Sequence, residues 1–296
     1  MGVSPVLDKQ RIRRRFARAA SSYDAAAVVG REVGLRLLER LDLVRLTPTR
    51  ILDLGSGTGL AARALAQRYR GSRVIALDFC LAMLQQRLRR RRPSERLQAM
   101  LLHAPIVDVC ADLERLPLAP ASIDLVVSNL VLHWSAAMAP GLAEVHRVLR
   151  PGGLFLFSTL GPDTLKELAV ASADTRGRTP VHAFADMHDL GDLLVRSGFA
   201  DPVMEMERLT VTYARVDDLL RDLRATGSLS AKAGTAGLRT PRWRERLRER
   251  YESFRREGRL PATLEVVYGH AWKPEQGPRV TADGRAVIRF DPSARR

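Results

Sequence analysis

The sequence predicts an α/β protein: a doubly wound, mostly parallel seven-stranded sheet with an antiparallel last strand, an N-terminal helical arm and a helical insertion. Three observations carry this. Short apolar runs alternate with helical patterns between residues 50 and 158, as in strand–helix–strand units joined by right-handed crossovers. The runs Arg73-Val-Ile-Ala-Leu, Ile106-Val-Asp-Val-Cys, Ile123-Asp-Leu-Val-Val and Leu154-Phe-Leu-Phe suit strands buried on both faces. Two longer strand-like stretches, 202–213 and 262–272, come late and suit a final antiparallel edge pair.

Taken in order, residues 1–45 form the arm. A basic amphipathic helix covers 11–20, and a second helix covers 25–41 with Val28, Val33, Leu37, Leu38 and Leu41 on one side. Phe16 and Tyr23 flank the junction at Ser21-Ser22, which makes the arm a candidate lid or a packed support. The main domain, 46–273, is expected to run strand 50–54, helix 60–69, strand 73–77, helix 81–91, strands 106–110 and 123–128, helix 139–149 and strand 153–158. A turn at Gly161-Pro162 then leads to a helix capped by Asp163, and a helix over 187–196 stops at Ser197-Gly198. The insertion, about 214–260, holds a helix at 216–224, a Gly/Ser/Ala/Thr-rich link at 226–241 and a charged helix at 243–257. The Arg-rich segment Arg89 to Pro105 has no assigned role, and the tail 274–296 contains one short apolar run, Ala286 to Phe290.

The net charge is +15 over 296 residues, most of it from arginine. A nucleic-acid partner, an acidic protein partner and a generally arginine-rich composition all account for it. The Arg239–Arg259 stretch carries Glu245, Glu249 and Glu252 at helix-pair spacing, and the chain lacks an aromatic-interleaved basic motif of nucleic-acid type. The two cysteines, Cys80 and Cys110, lie outside any Cys-x-x-Cys or Cys/His cluster, so neither a metal site nor a disulfide framework is expected. The chain holds no long apolar run, Met1 to Gln10 have no apolar core of signal-peptide type, and a reducing cytoplasm is the expected compartment.

Ligands of such sheets sit at the carboxyl ends of the strands. The first strand ends in Asp53-Leu-Gly-Ser-Gly-Thr-Gly59, and Gly55, Ser56, Gly57 and Gly59 make a turn that lets a ligand lie against the backbone. The glycine spacing departs from the dinucleotide fingerprint, and Asp53 would repel a pyrophosphate; it suits a cationic ligand such as S-adenosylmethionine. Asp78 ends the second strand and can accept both ribose hydroxyls, with Phe79 and Met83 placed to wall an adenine. Asp112 and Leu113 follow the third strand, where the carboxylate can accept from the adenine amine. Asn129 ends the fourth, next to the expected methyl-donor sulfur.

These residues, with Pro151-Gly-Gly153, resemble the class I S-adenosylmethionine-dependent methyltransferases, which share a Rossmann-like sheet. A narrower resemblance, to the malonyl-acyl-carrier-protein O-methyltransferases of biotin synthesis, covers nearly the whole chain. It rests on Arg14-Arg-Phe-Ala-Arg-Ala-Ala20, Ser128-Asn-Leu-Val-Leu-His-Trp134, Phe157-Ser-Thr-Leu-Gly-Pro-Asp-Thr-Leu-Lys-Glu167, Met187-His-Asp-Leu-Gly-Asp192 and Glu265-Val-Val-Tyr-Gly-His-Ala-Trp-Lys-Pro274. The chain departs from that pattern at His133, where Gln is frequent, and at Ser56, where Cys is common.

The resemblance implies S-adenosylmethionine as methyl donor without a metal, and as acceptor the free carboxylate of a malonyl thioester on an acidic acyl carrier protein or on coenzyme A. A carboxylate is already ionised at neutral pH, so no general base is required. Something must keep the buried carboxylate charged, and the candidates are Tyr23, His133, Trp134 and Lys166, with Phe16 as a further residue of the substrate pocket. The Arg-rich arm and Arg239–Arg259 are candidate docking surfaces. The other readings are an arginine-hydroxylase-like assembly factor, a methyltransferase acting on RNA or another small molecule, and a non-catalytic scaffold.

Overall fold

The computed structural model describes residues 8–90, 106–135, 138–174, 179, 181–228 and 240–275. The Arg-rich segment beyond Arg90, most of the link after Ser228 and the tail run at Ala286–Phe290 lie outside them.

Seven strands form one sheet: β1 (Arg50–Leu54), β2 (Arg73–Asp78), β3 (Ile106–Cys110), β4 (Ile123–Asn129), β5 (Leu149–Leu160), β6 (Ala200–Tyr213) and β7 (Leu260–Trp272). Their order is β3-β2-β1-β4-β5-β7-β6. The pairings from β3 to β5 are parallel, and β7 runs antiparallel to both β5 and β6. The order in which strands are added reverses between the parallel neighbours β1 and β4, and that switch point opens the crevice in which doubly wound sheets hold ligands.

Alternation along the strands sorts two cores. Leu52, Leu54, Val126, Phe155 and Phe157 pack on one face with Leu142 and Val145 of the helix Met138–Val148 and Leu194 of the helix Met187–Arg196. Ile51, Val74, Leu125, Val127 and Leu156 pack on the other with Val33 and Leu37 of α3 (Val28–Glu39) and Leu65 of α4 (Leu60–Arg68). Each fully buried Leu, Ile or Phe contributes about 1.5–3 kcal/mol, so a period-2 pattern covered on both faces fixes the strand register firmly.

A third, smaller core joins Leu168 to Val216, Leu219 and Leu220 of one insertion helix and to Leu247 and Tyr251 of the other. The first of these helices spans Val216–Ala225; the second spans Pro241–Glu252, opened by Thr240, whose hydroxyl accepts from Trp243 N at 3.2 Å.

The structure corrects four local expectations. The single helix expected over 25–41 is divided: α2 (Tyr23–Ala26) ends at Ala27, α3 follows, and a 3-10 turn covers Arg40–Leu43. The cause is tertiary, because Gly30 O accepts from Asn129 Nδ2 at 2.9 Å and draws the start of α3 onto the end of β4; Val28 is left exposed. The fifth strand is longer at both ends, since Leu149 pairs with Ile123 and Leu160 with Val266. Asp163 does not cap the next helix, Lys166–Ser172; Leu165 in the left-handed conformation does, and its N donates to Thr263 O at 2.6 Å. The charged insertion helix stops at Glu252, short of the expected 257, because Arg256 and Arg259 pair across a tight turn at Glu257-Gly258. Among the described residues no helix is long and apolar enough to cross a membrane.

Candidate active site

The ends of β1, β2 and β4, the arm and the insertion together enclose a cavity of about 640 Å³. Its floor is the glycine turn. Gly55 N and Ser56 N both donate to Leu77 O, at 2.7 and 2.9 Å, which bends the chain sharply out of β1. The three glycines of this turn all have positive φ, but for different physical reasons. A Cβ on Gly55 would lie 2.1 Å from Val131 Cγ2, and one on Gly59 would lie 2.2 Å from Cδ of Arg87. Around Gly57 nothing lies within 4 Å, so this is the glycine that leaves space for a ligand.

Gly59 therefore lies off the cavity wall, at the left-handed start of α4 and against a buried ion pair. Arg87, 1% exposed, forks onto both carboxylate oxygens of Asp108 beneath it. Alanine at 59 is expected to displace this pair and lower stability by several kcal/mol, combining left-handed strain of ~1–3 kcal/mol with disruption of a buried charge pair. Alanine at 57 adds the strain alone to stability but intrudes on the ligand space. Thermal melts and cofactor titrations should thus rank the two variants in opposite orders; equal melting losses would contradict the distinction.

Asp53 is 1% exposed, and its Oδ2 has no hydrogen-bond partner among the described residues. Burial pushes its carboxyl up to about 7, against the lowering influence of the Ala62 backbone N–H. It lies behind the wall formed by its neighbours Leu54 and Gly55. Ser56 Oγ is likewise buried without a partner, and Ser56 is also off the wall. Asp78 is on the wall: Oδ2 accepts from Gly57 N at 2.9 Å and Oδ1 from Cys80 N at 2.8 Å. Burial raises its carboxyl to about 6, and its charge, after burial itself, helps push the Tyr23 hydroxyl to about 12.

The arm roofs this floor. Phe16 meets Trp134 edge-on at 5.4 Å between ring centroids, Phe79 at 6.2 Å and Tyr23 at 6.5 Å. Met83 is buried beside Cys80 and Ala20 in the same cluster. Lys9 Nζ reaches Asp112 Oδ2 at 2.7 Å and Glu114 Oε2 at 2.6 Å, while Asp24 takes Thr58 Oγ1 and the Arg90 guanidinium. One oxygen of Asp112 is thus held by Lys9 and the other by Glu114 N, and Leu113 packs against Gly141. Asn129 spends both polar atoms on the scaffold: Nδ2 on Gly30 O and Oδ1 on Ser158 Oγ at 2.7 Å. Its place on the wall is held by contacts to the arm and to β5.

Of the residues expected around a substrate, Phe16, Tyr23, His133 and Trp134 line the cavity. Lys166 does not; its Nζ lies 3.2 Å from Asp163 on the half-exposed side of its helix. His133 Nδ1 lies 3.3 Å from Thr159 Oγ1, and burial, helped by His182, drives its imidazole down to about 3. It is neutral at physiological pH and offers a hydrogen bond rather than a charge.

Sequence reasoning missed the far half of the cavity, where His182, Phe184, Leu219, Leu223 and Trp243 supply the wall. It also did not anticipate the left-handed backbone of Leu130 and Leu165, both on the wall and both at φ 55°. Left-handed leucines cost of order 1–3 kcal/mol and persist where surrounding structure over-determines them. The residue type gives no sign of this. Among the described residues no group of three or more His, Cys, Asp or Glu is placed to hold a metal ion.

Residues 52–157 match the methyltransferase-domain family. The chain is 50% identical over 285 residues to a malonyl-acyl-carrier-protein O-methyltransferase of Gallionella capsiferriformans, covering 96% of this chain and 97% of the relative. It is 50% identical over 291 residues to a protein of the same name from Methylovorus, covering 98% and 97%. Among solved structures, the YcgJ protein of Bacillus subtilis superposes with a TM-score of 0.56 at 15% identity, covering 81% of this chain and 98% of that one.

Proposed function

The chain belongs to the malonyl-acyl-carrier-protein O-methyltransferases, and on that premise we propose that it methylates the free carboxylate of a malonyl thioester carried on an acyl carrier protein, using S-adenosylmethionine. The methyl ester would mask one end of the acyl unit so that it can prime chain building toward biotin. The single observation that carries the cofactor reading is the floor of the cavity: a glycine with open space above it, a buried carboxylate oxygen of Asp53 lacking a donor, and Asp78 fixed on the wall by two backbone amides.

The residues fit the cofactor's chemistry. When bound, S-adenosylmethionine supplies an electrophilic methyl group on a sulfonium. Asp53 lends negative charge under the ammonium and sulfonium end, with Gly55 and Ser56 in the turn above it. Asp78 keeps one lone pair per oxygen for the ribose hydroxyls. Phe79, Met83 and Leu113 form an apolar slot for the adenine, and Asp112 lies at its edge. Phe16, Tyr23 and Trp134 close over the site and exclude water, so the arm acts as a lid. Excluding water strengthens the alignment of the two reacting groups, an effect worth ~7–11 kcal/mol in well-oriented intramolecular reactions.

The acceptor carboxylate is its own nucleophile. The wall residues therefore need only orient it, with His133 as a neutral donor and Tyr23, held protonated, as a second. The basic faces of α1 (Lys9–Ala19) and of the second insertion helix, with Arg13, Arg14, Arg242 and Arg246 exposed, would steer an acidic carrier to the mouth.

A pH series tests this. With cofactor and acceptor saturating, kcat should stay flat from about pH 6.5 to 8.5, because no base must lose a proton. Cofactor affinity should weaken as the pH falls through about 7 and then about 6, where Asp53 loses its charge and Asp78 then gains a proton and loses an acceptor site. A kcat that climbs tenfold per pH unit across neutrality would reveal a general base and defeat the reading.

A further inference from the structure

The cavity extends past the reacting end to a solvent-facing end formed by the two insertion helices. Arg224 lines it from Val216–Ala225 and Arg244 from Pro241–Glu252; both are exposed. Three other arginines on these helices are engaged, Arg221 with Asp218 at 2.8 Å, Arg248 with Asp217 at 2.8 Å and Arg250 with Ala173 O at 2.8 Å, while Arg242 and Arg246 lie off the cavity wall. Among the described residues the guanidiniums of Arg224 and Arg244 have no ion pair or hydrogen bond. The hydroxyls of Thr226 and Ser228, 3.0 Å apart, share the same wall. The acid at this end, Asp222, sits beside the Tyr213 hydroxyl, which is pushed up to about 12 by burial and by that charge.

We propose that Arg224 and Arg244 form an anion subsite for the phosphate ester of the pantetheine arm that carries the malonyl thioester. The inference rests on the methyl-transfer reading above. Two exposed arginines on the insertion wall are the wrong place for the reacting carboxylate, which must lie at the strand ends with the cofactor. They are the right place for a phosphate that remains near solvent while the acyl end is inside. Guanidinium groups match phosphate oxygens bidentately, and the flanking hydroxyls add neutral donors. Between the two charged ends the wall is apolar, with Leu219, Leu223 and Trp243, and suits a flexible, uncharged arm. Such a subsite lets the enzyme read the arm itself, apart from the carrier's surface.

The test compares kcat/KM for malonyl-phosphopantetheine and malonyl-pantetheine, which differ only in the phosphate, in the parent protein, in Arg224→Gln, Arg244→Gln and the double variant, and in the two Arg→Lys variants. The parent should favour the phosphorylated substrate by roughly 10- to 100-fold, as expected for one or two charge-assisted hydrogen bonds. Each Gln variant should shrink that ratio, the double variant should bring it below about twofold, and Lys should retain part of it. Should the double variant lack turnover, the ratios in the single variants decide. A parent without phosphate preference, or a preference that survives both Gln substitutions, overturns the proposal. A loss seen only with the intact carrier protein also overturns it and assigns the two arginines to the carrier's surface. If the parent methylates no malonyl thioester, it is the methyl-transfer reading that fails.

Discussion

Replacing Asp78 with alanine is expected to weaken S-adenosylmethionine binding about 100-fold while leaving a folded protein. The carboxylate organises three things at once: the Gly57 amide at 2.9 Å, the Cys80 amide at 2.8 Å and, in the proposed complex, the ribose. Hydrogen bonds to a charged group are worth about 1.5–3 kcal/mol each, and a factor of ten corresponds to about 1.4 kcal/mol. Losing the ribose contacts alone therefore accounts for the expected change, and release of the Gly57 amide loosens the turn further. Removing a carboxylate that burial raises to about 6 relieves a desolvation penalty, which offsets part of the cost of leaving the Gly57 and Cys80 amides without their acceptor, so the melting temperature of the free protein should fall only modestly. Calorimetric titration together with a thermal melt reads both quantities. Unchanged affinity would remove Asp78 from the cofactor site.

Truncating Phe16 to alanine should reduce kcat/KM on the order of 100-fold by undocking the arm. Phe16 is the ring on which Tyr23, Phe79 and Trp134 converge, and its contact with Gly227 also ties the arm to the insertion. Aromatic pairs contribute about 0.5–1.5 kcal/mol each beyond burial, and Phe→Ala in a packed site costs about 3–5 kcal/mol. The remaining latches, Lys9 on Asp112 and Glu114 and Asp24 on Thr58 and Arg90, are partly exposed and screened, so they hold the arm only weakly without the rings. Limited proteolysis within residues 9–27 should accelerate in the variant and slow again on addition of cofactor. Wild-type activity with an undocked arm would show that the lid is dispensable.

These two residues also mark what could be read from the chain alone. Asp78, Asp112 and Asn129 announce themselves because strand ends in a doubly wound sheet converge on one crevice, so local pattern fixes their place in space. The antiparallel last strand was legible as well, whereas the strand order came only with the fold. Their partners were hidden. Lys9 reaches Asp112 across 103 positions, and Asn129 holds Gly30 across 99; no periodicity encodes such pairs. Gly59 looked like its neighbours in the turn, yet it is required by Arg87, a distant side chain passing beneath it. Lys166 carried the right charge next to the right strand, but a left-handed Leu165 turns its helix so that it pairs with Asp163 outside the cavity. The wall contributed by His182 and Phe184, and by Leu219, Leu223, Trp243 and Arg244 of the insertion, depends on how distant segments close over the sheet and became visible only with the fold.

Methyl transfer here turns on an acceptor that is a free carboxylate on a short thioester. The measurement that tests this most directly is transfer of labelled methyl from S-adenosylmethionine to malonyl-, succinyl- and acetyl-acyl carrier protein, with the product identified as a base-labile ester. Strong labelling of the malonyl form is expected, with weaker labelling of the succinyl form and none of the acetyl form, which has no free carboxylate. Labelling of the acetyl carrier, or none of the malonyl carrier by a protein that binds the cofactor, would contradict it.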